Sequence, residues 1–257
     1  MTRRPPFDLT GRNALVTGSS AGIGWAVTRA LAAAGARVAL HGLEPEAELR
    51  RIAQDLPGGA GEAVPVFSLD IGLPGLADAL ADRAAEALGQ IDILVLCASV
   101  QFKRPWTEIT PEEFTRQIDV NLRATLVLLQ RLVPPMQARG WGRVVAIGSV
   151  QQVKPHKEML VYAGTKAAQA SWMRNLATQV AADGVTVNNV APGYIDTPRN
   201  AGTLAQPGAR ESVTAMVPVR RIGVAEDVAG TVLLLCSDEG SYLNGADIAV
   251  DGGYGVA

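Results

Sequence analysis

Tyr162 and Lys166 stand four residues apart, and Ser149 precedes the tyrosine by thirteen, just after the apolar run Val144-Val145-Ala146-Ile147. On a helix, a four-residue spacing puts the phenol and the ammonium on one face, one turn apart. There the cation favours phenolate and brings a tyrosine, ordinarily titrating near about 10, into range as an acid/base. With four tyrosines and four lysines in the chain, about 6 per cent of shuffled sequences would hold such a pair by chance. Spacing alone is therefore suggestive, and the surrounding elements have to decide.

A second motif lies near the N-terminus, in Thr17-Gly18-Ser19-Ser20-Ala21-Gly22-Ile23-Gly24. It follows an apolar strand candidate and opens a helix candidate. Glycines there permit a tight turn and let backbone N–H groups and the positive helix end meet a pyrophosphate. Set between a strand and a helix, the turn points to dinucleotide binding.

The elements that must position these motifs alternate along the chain. Short β-rich apolar runs at 13–17, 37–41, 63–67, 91–97, 142–148, 185–190 and 246–250 predict seven strands. Alanine-rich stretches at 22–34, 45–55, 74–88, 111–139, 160–183 and 225–237 predict helices, several with good caps, as in Thr110-Pro111-Glu112-Glu113. Near-continuously apolar strands joined by helices imply a parallel sheet covered on both faces, and right-handed crossovers make it a doubly wound α/β sheet. Nothing in the middle reads as a linker, so residues 1–257 are expected to form a single domain. From about 195 to 224 the pattern lapses into Thr-Pro-Arg-Asn-Ala-Gly and Gln-Pro-Gly-Ala-Arg, with a weak helix around 209–216. A segment this long inside a compact domain reads as a substrate lid.

Composition excludes several classes. Hydrophobic residues make up 48 per cent and charged residues 19 per cent, which suits a globular chain with a large core. A formal charge of −2, with Arg3-Arg4 and Arg220-Arg221 too short to form a basic patch, argues against nucleic-acid or anionic-membrane partners. No run reaches the length of a membrane span and the N-terminus lacks a signal-peptide core, so the expected location is cytoplasmic. Cys97 and Cys236 sit in apolar runs and are expected as buried free thiols; with only His41 and His156 besides, no catalytic metal is expected.

In order, Thr-Gly-x-x-x-Gly-x-Gly, Asn121, Ser149, Tyr162 and Lys166 resemble the short-chain dehydrogenase/reductase family. The resemblance spans nearly the whole chain and extends to Pro192-Gly193 with Ile195 and Thr197-Pro198, and to Val250-Asp251-Gly252-Gly253. One departure stands out. Where the family carries Asn-Asn-Ala-Gly after the fourth strand, this chain has Leu96-Cys97-Ala98-Ser99. That places side-chain cofactor contacts there in doubt.

The resemblance implies a Rossmann-fold oxidoreductase in which Tyr162 exchanges the proton of a secondary alcohol or ketone while hydride passes to or from nicotinamide. It implies that Lys166 favours the phenolate, that Ser149 holds the substrate oxygen, and that Asn121 supports a water relay to the lysine. Cofactor contacts fall on Gly18, Ser20, Gly22, Ile23 and Gly24, on Asp70 and Ile71, on Ala98, on Tyr162 and Lys166, and on Val190, Gly193, Ile195 and Thr197. Family tetramers pair through helices matching 111–139 and 160–183, so a homotetramer is expected.

Of the two coenzymes, NAD and NADP, the sequence favours NAD. The second strand ends Leu40-His41-Gly42-Leu43-Glu44, which offers no cation for a 2′-phosphate and one carboxylate that repels it. Substrate contacts are expected from Gln101, Gln151, Gln152, His156, Tyr194 and Arg199, with Ser149, and an apolar wall from Trp106 and Met159. This largely hydrogen-bonding set favours a polyol, sugar or hydroxy acid. Two alternatives remain open: an NADP-dependent ketoreductase, including one for 3-oxoacyl thioesters, and a nucleotide-binding scaffold without chemistry.

Overall fold

The structure, a computed structural model, describes residues 5–57 and 64–257. Arg3-Arg4 and residue 63 of the third strand candidate lie outside the described residues. Seven strands form one all-parallel sheet: β1 (Asn13–Val16), β2 (Arg37–Gly42), β3 (Val66–Ser68), β4 (Ile93–Leu96), β5 (Gly142–Ile147), β6 (Val185–Pro192) and β9 (Asp247–Val250). Their spatial order is β3-β2-β1-β4-β5-β6-β9. The remaining two strands, β7 (Ile195–Asp196) and β8 (Gly223–Val224), make a separate parallel ladder.

Every residue of β1, β4, β5 and β6 is buried, because helices cover both faces of the sheet. This explains the continuous apolar runs in place of polar alternation. On one face Leu15, Leu94 and Val144 pack with Leu80 of α3 (Leu76–Leu88), Leu128 of α5 (Ala124–Arg139) and Met173 of α6 (Leu160–Val180). On the other, Val16, Val95 and Val145 meet Leu31 of α1 (Gly22–Ala33), Leu49 of α2 (Glu46–Ala53) and Val232 of α9 (Ala225–Cys236). Truncating a fully buried leucine such as Leu31 or Leu94 to alanine would cost roughly 2–5 kcal/mol.

The predicted helix 111–139 is helical throughout but changes its winding midway. α4 (Pro111–Ile118) starts at a capping box in which Thr110 Oγ1 accepts from Glu113 N–H and the Glu113 carboxylate accepts from Thr110 N–H. It passes through a π-helical turn, Asp119–Arg123, into α5. The wider turn loosens the backbone ladder around Asn121, and Thr125 Oγ1 donates to the Asn121 carbonyl at 2.9 Å.

Residues 195–224 are more ordered than the sequence suggests. Pairing of β7 with β8 pins both ends. Between them lie α7 (Pro198–Leu204) and α8 (Ala209–Met216). Leu204, Val213 and Val217 form a small core of their own with Tyr194, Ile222 and Tyr254 packed against it. The expected weak helix is therefore present as α8, and α7 is additional.

Candidate active site

The chain leaves β1 and β4 towards opposite sides of the sheet, which opens a crevice at their carboxyl ends. Thr17 staples that crevice: its Oγ1 accepts from the N–H groups of Cys97 and Ala98, both at 3.0 Å. The close approach explains the glycines. Gly18 has φ +65°, and a Cβ there would stand 2.9 Å from Ala98 Cα; a Cβ on Gly24 would run into the Gly18 carbonyl oxygen. Helix α1 has no acidic residue in its first turn and no side chain capping its start, so its positive end is left for an anion.

His41 locks this loop to the next strands. Its Nδ1 accepts from Gly18 N–H at 3.0 Å, and its Nε2 lies 2.9 Å from the Leu69 carbonyl, which makes Nε2 the protonated nitrogen. Burial lowers its pKa from 6.5 to about 4 and keeps the ring neutral. Beside it, Glu44 Oε1 accepts from Ser20 Oγ at 2.8 Å, while Oε2 is buried with no hydrogen-bond partner. An orphaned carboxylate oxygen at the rim of a cleft is a receptor for hydroxyl groups.

The second half of the site comes from β5 and α6. Ser149 follows β5 in extended conformation and its Oγ accepts from Gln151 N–H at 3.2 Å, which starts the turn Val150–Gln152. Tyr162 and Lys166 are buried in the first turns of α6. Tyr162 lines the cleft together with Ser149 and Ser99, whose hydroxyls favour its phenolate. Lys166 Nζ donates to the Ile147 carbonyl at 2.6 Å and to Gln169 Oε1 at 3.0 Å, and stands 5.9 Å from the centre of the Tyr162 ring.

The electrostatics differ from the simple pairing expected from spacing. Burial pushes the Tyr162 phenol above its ordinary value; the Arg199 charge, and then the hydrogen bonds from Ser149 and Ser99, pull it down. Burial, with the repulsion of Arg199, lowers Lys166 from its ordinary value to about 7. Arg199 of α7 is thus a second cation beside the phenol, in addition to the Lys166 ammonium 5.9 Å from its ring centre.

A cleft of about 480 Å³ runs over both halves. Gly18, Ser20, Gly22, Ile23, Gly24, Asp70, Ile71, Ala98, Gly193, Ile195 and Thr197 line it, as do Ser149, Tyr162 and Lys166. So do Gln101, Gln151, His156, Tyr194 and Arg199. Three candidates lie elsewhere. Val190 is fully buried in the core opposite Ile147, because β6 runs two residues further than expected and the cleft begins at Pro192. Gln152 turns its amide to Asp247 at 2.7 and 2.8 Å and accepts from Asn189, since edge strand β9 lies beside it. Asn121 spends its side chain on Val100 N–H and carbonyl, both at 2.9 Å, and on Thr165 Oγ1. Of the apolar wall, Met159 lines the cleft and Trp106 stands exposed outside it. Cys236 is a buried free thiol, whereas Cys97 is only partly buried and lines the cleft.

Sequence reasoning missed Thr17, His41, Ser99 and Gln169. Gln169 was accessible in principle, three residues after Lys166 on the same helical face. His41 looked isolated because its partners, Gly18 and Leu69, are distant in sequence.

A nucleotide-receptive turn at a switch point, followed by serine, tyrosine and lysine at one cleft, defines a dinucleotide-dependent oxidoreductase of the doubly wound class. The family model described as enoyl-(acyl carrier protein) reductase matches residues 18–255. Nodulation protein G of Rhizobium sp. (strain N33) is 35% identical over 97% of this chain and 99% of its own. D-beta-hydroxybutyrate dehydrogenase of Rhizobium meliloti (strain 1021) is 31% identical over 95% of this chain and 98% of its own. The solved 3-oxoacyl (acyl-carrier-protein) reductase from Agrobacterium tumefaciens C58, with NADP bound, superposes with a TM-score of 0.89 at 41% identity, covering 96% of each chain. The chain belongs to the short-chain dehydrogenase/reductase family, enzymes that act on CH–OH groups with NAD or NADP.

Proposed function

We propose that this protein is an NAD-dependent dehydrogenase of a small polar secondary alcohol, a polyol, sugar or hydroxy acid, or of the corresponding ketone in reverse. The observation that carries this reading is the convergence of Ser149 and Tyr162 on one cleft, with Lys166 Nζ held beside them by the Ile147 carbonyl and Gln169 Oε1. Held by the Gly18–Gly24 turn, a nicotinamide coenzyme would supply the hydride acceptor for oxidation of the carbinol carbon, or the hydride donor in reverse. Tyr162 Oη, as phenolate, takes the hydroxyl proton of the alcohol. Ser149 Oγ holds the oxygen that becomes a carbonyl. Lys166, held by Ile147 and Gln169, supplies positive charge behind the phenolate.

The cofactor residues fit a dinucleotide. Gly18 and Gly24 leave backbone room where any side chain would intrude, and the start of α1 favours phosphate. Glu44 and Ser20 suit the two ribose hydroxyls of NAD. Among the described residues the cation at that end of the cleft is Arg116, already answered by Asp70 at 2.8 Å, which favours a ribose hydroxyl over a 2′-phosphate there. Residues 195–224 act as the lid over the substrate end. No helix among the described residues is long and apolar enough to cross a membrane, consistent with a cytoplasmic enzyme. A homotetramer paired through α4, α5 and α6 completes the reading; sedimentation tests it.

A second reading, an NADP-dependent 3-oxoacyl thioester or other ketone reductase, draws support from the NADP-bound relative at 41% identity. It uses the same acid/base set, and turnover with NAD(H) against NADP(H) separates the two. Replacing Tyr162 by Phe tests the shared chemistry: coenzyme binding persists while turnover falls about 10²- to 10⁴-fold. Full activity in that variant sinks the acid/base role of Tyr162 in both readings, whereas coenzyme binding by wild type without turnover of any alcohol or ketone favours a non-catalytic scaffold.

A further inference from the structure

We infer that Arg199 receives a carboxylate of the substrate, so that the alcohol turned over is a 2- or 3-hydroxy acid and not a neutral polyol or sugar. This rests on the hydride-transfer reading and narrows its substrate.

Charge is unevenly shared along the cleft. Its two acidic side chains, Glu44 and Asp70, both stand where β2 and β3 end, and Asp70 is paired with Arg116. At the substrate end the charged side chains are Lys103, Lys166, Arg199 and, when protonated, His156, with no acidic residue among the described residues lining the wall. Lys103 and His156 both face Glu158, at 3.9 and 4.0 Å. Arg199 has no carboxylate partner among the described residues; its Nη2 donates to the Ser99 carbonyl at 2.7 Å. A guanidinium carries five donors in a planar fork. One is spent, and the rest can meet a carboxylate bidentately.

The position of that fork is set by structure on both sides. α7 is anchored by the β7–β8 ladder and by Asn200 Nδ2 donating to the Ile195 carbonyl at 2.8 Å. Ser99 stands between the two groups on the cleft wall: its carbonyl holds the Arg199 guanidinium, whose charge reaches the Tyr162 phenol. Guanidinium and phenol therefore face the same stretch of the cleft wall. Such neighbours suit a short acid whose carboxylate lies one or two carbons from the carbinol. Like-charge repulsion from Arg199 also works against the ammonium of Lys166, and a bound carboxylate relieves it. A neutral polyol would leave the fork unanswered.

The test compares 2- and 3-hydroxybutyrate with 1,3-butanediol, each with NAD and with NADP, in wild type, Arg199→Met and Arg199→Lys. Wild type is expected to prefer the hydroxybutyrates. Arg199→Met should lower the carboxylate-to-diol ratio of kcat/KM roughly 10- to 100-fold, and Arg199→Lys should restore part of it. A wild-type preference for the diol, or an unchanged ratio, overturns the inference. So does a ratio that stays constant while the KM for coenzyme rises, which would assign Arg199 to the pyrophosphate. If wild type oxidises none of these alcohols with either coenzyme, the hydride-transfer reading fails for them. Binding then decides the anion site separately: 3-hydroxybutyrate should raise the unfolding temperature of wild type, the diol should not, and Arg199→Met should abolish the rise. No rise in wild type overturns the inference.

Discussion

Gln169 accepts a hydrogen bond from the buried ammonium of Lys166, Nζ to Oε1 at 3.0 Å, and donates its own amide to Thr125 Oγ1 at 3.2 Å. Thr125 in turn donates to the Asn121 carbonyl in the π-helical turn at 2.9 Å. The lysine is thereby tied through side chains alone to the residue that the family resemblance connects with it through water. All four residues are buried. A polar chain of this kind fixes an ammonium only while every link is satisfied.

Gln169 is thus a positioning residue for Lys166, and its replacement should show in the pH profile. Gln169→Leu deprives a buried ammonium of an acceptor and drives the Lys166 pKa, already down at about 7, lower still. Less of the enzyme then carries the charge behind Tyr162 at neutral pH. The alkaline limb of kcat for alcohol oxidation is expected to move to lower pH, with turnover down about tenfold at pH 8. Gln169→Glu should move the limb the other way. A stability loss with an unmoved pH profile would show that Gln169 serves packing alone.

Glu44 is expected to set coenzyme choice. A buried carboxylate oxygen without a partner gains most from a hydroxyl and loses most from a phosphate. Glu44→Ala should raise the KM for NAD roughly 10- to 100-fold and allow measurable use of NADP, and Glu44→Arg should invert the preference. Steady-state kinetics with both coenzymes decide it. Equal use of NADP by wild type would remove Glu44 from this role.

The strands were legible because burial on both faces writes itself as continuous apolar runs, and the motif order carried the site's identity. What escaped depends on tertiary contact. Asp-Val-Asn-Leu-Arg is ordinary helical sequence, and nothing in it announces a π turn. α7 is seven residues containing Asn200, Gly202 and Thr203, poor helix formers whose order comes from the β7–β8 ladder. The family resemblance puts Val190 on the nicotinamide side, whereas the structure keeps it in the core, paired in register with Ile147. Gln152 faces Asp247 for a reason 95 residues away in the chain.

The phosphate loop should tolerate no side chain at Gly24. A Cβ there meets the Gly18 carbonyl oxygen, which is backbone and cannot rotate away. Gly24→Ala is expected to weaken NADH binding, followed by fluorescence, and to cost roughly 1–3 kcal/mol of stability. Gly230→Ala in α9, where a Cβ meets nothing within 4 Å, should instead stabilise by about 0.5–1 kcal/mol. Similar effects at both sites would mean that helix propensity, and not the loop's close approach, governs Gly24.

His41 should make the loop acid-labile within a defined window. Its pKa is about 4 in the folded chain, against 6.5 as the ordinary value. Between those values the unfolded chain binds a proton that the folded chain refuses, so stability rises with pH across the window. The contribution is complete above 6.5 and is lost as pH falls through 4, amounting to about 3 kcal/mol. Protonation also turns Nδ1 from an acceptor into a donor facing Gly18 N–H, so NAD affinity should fall over the same range. Urea titrations between pH 7 and pH 4 are expected to show this slope in wild type and its loss in His41→Asn. Parallel curves for the two proteins would place the acid sensitivity elsewhere.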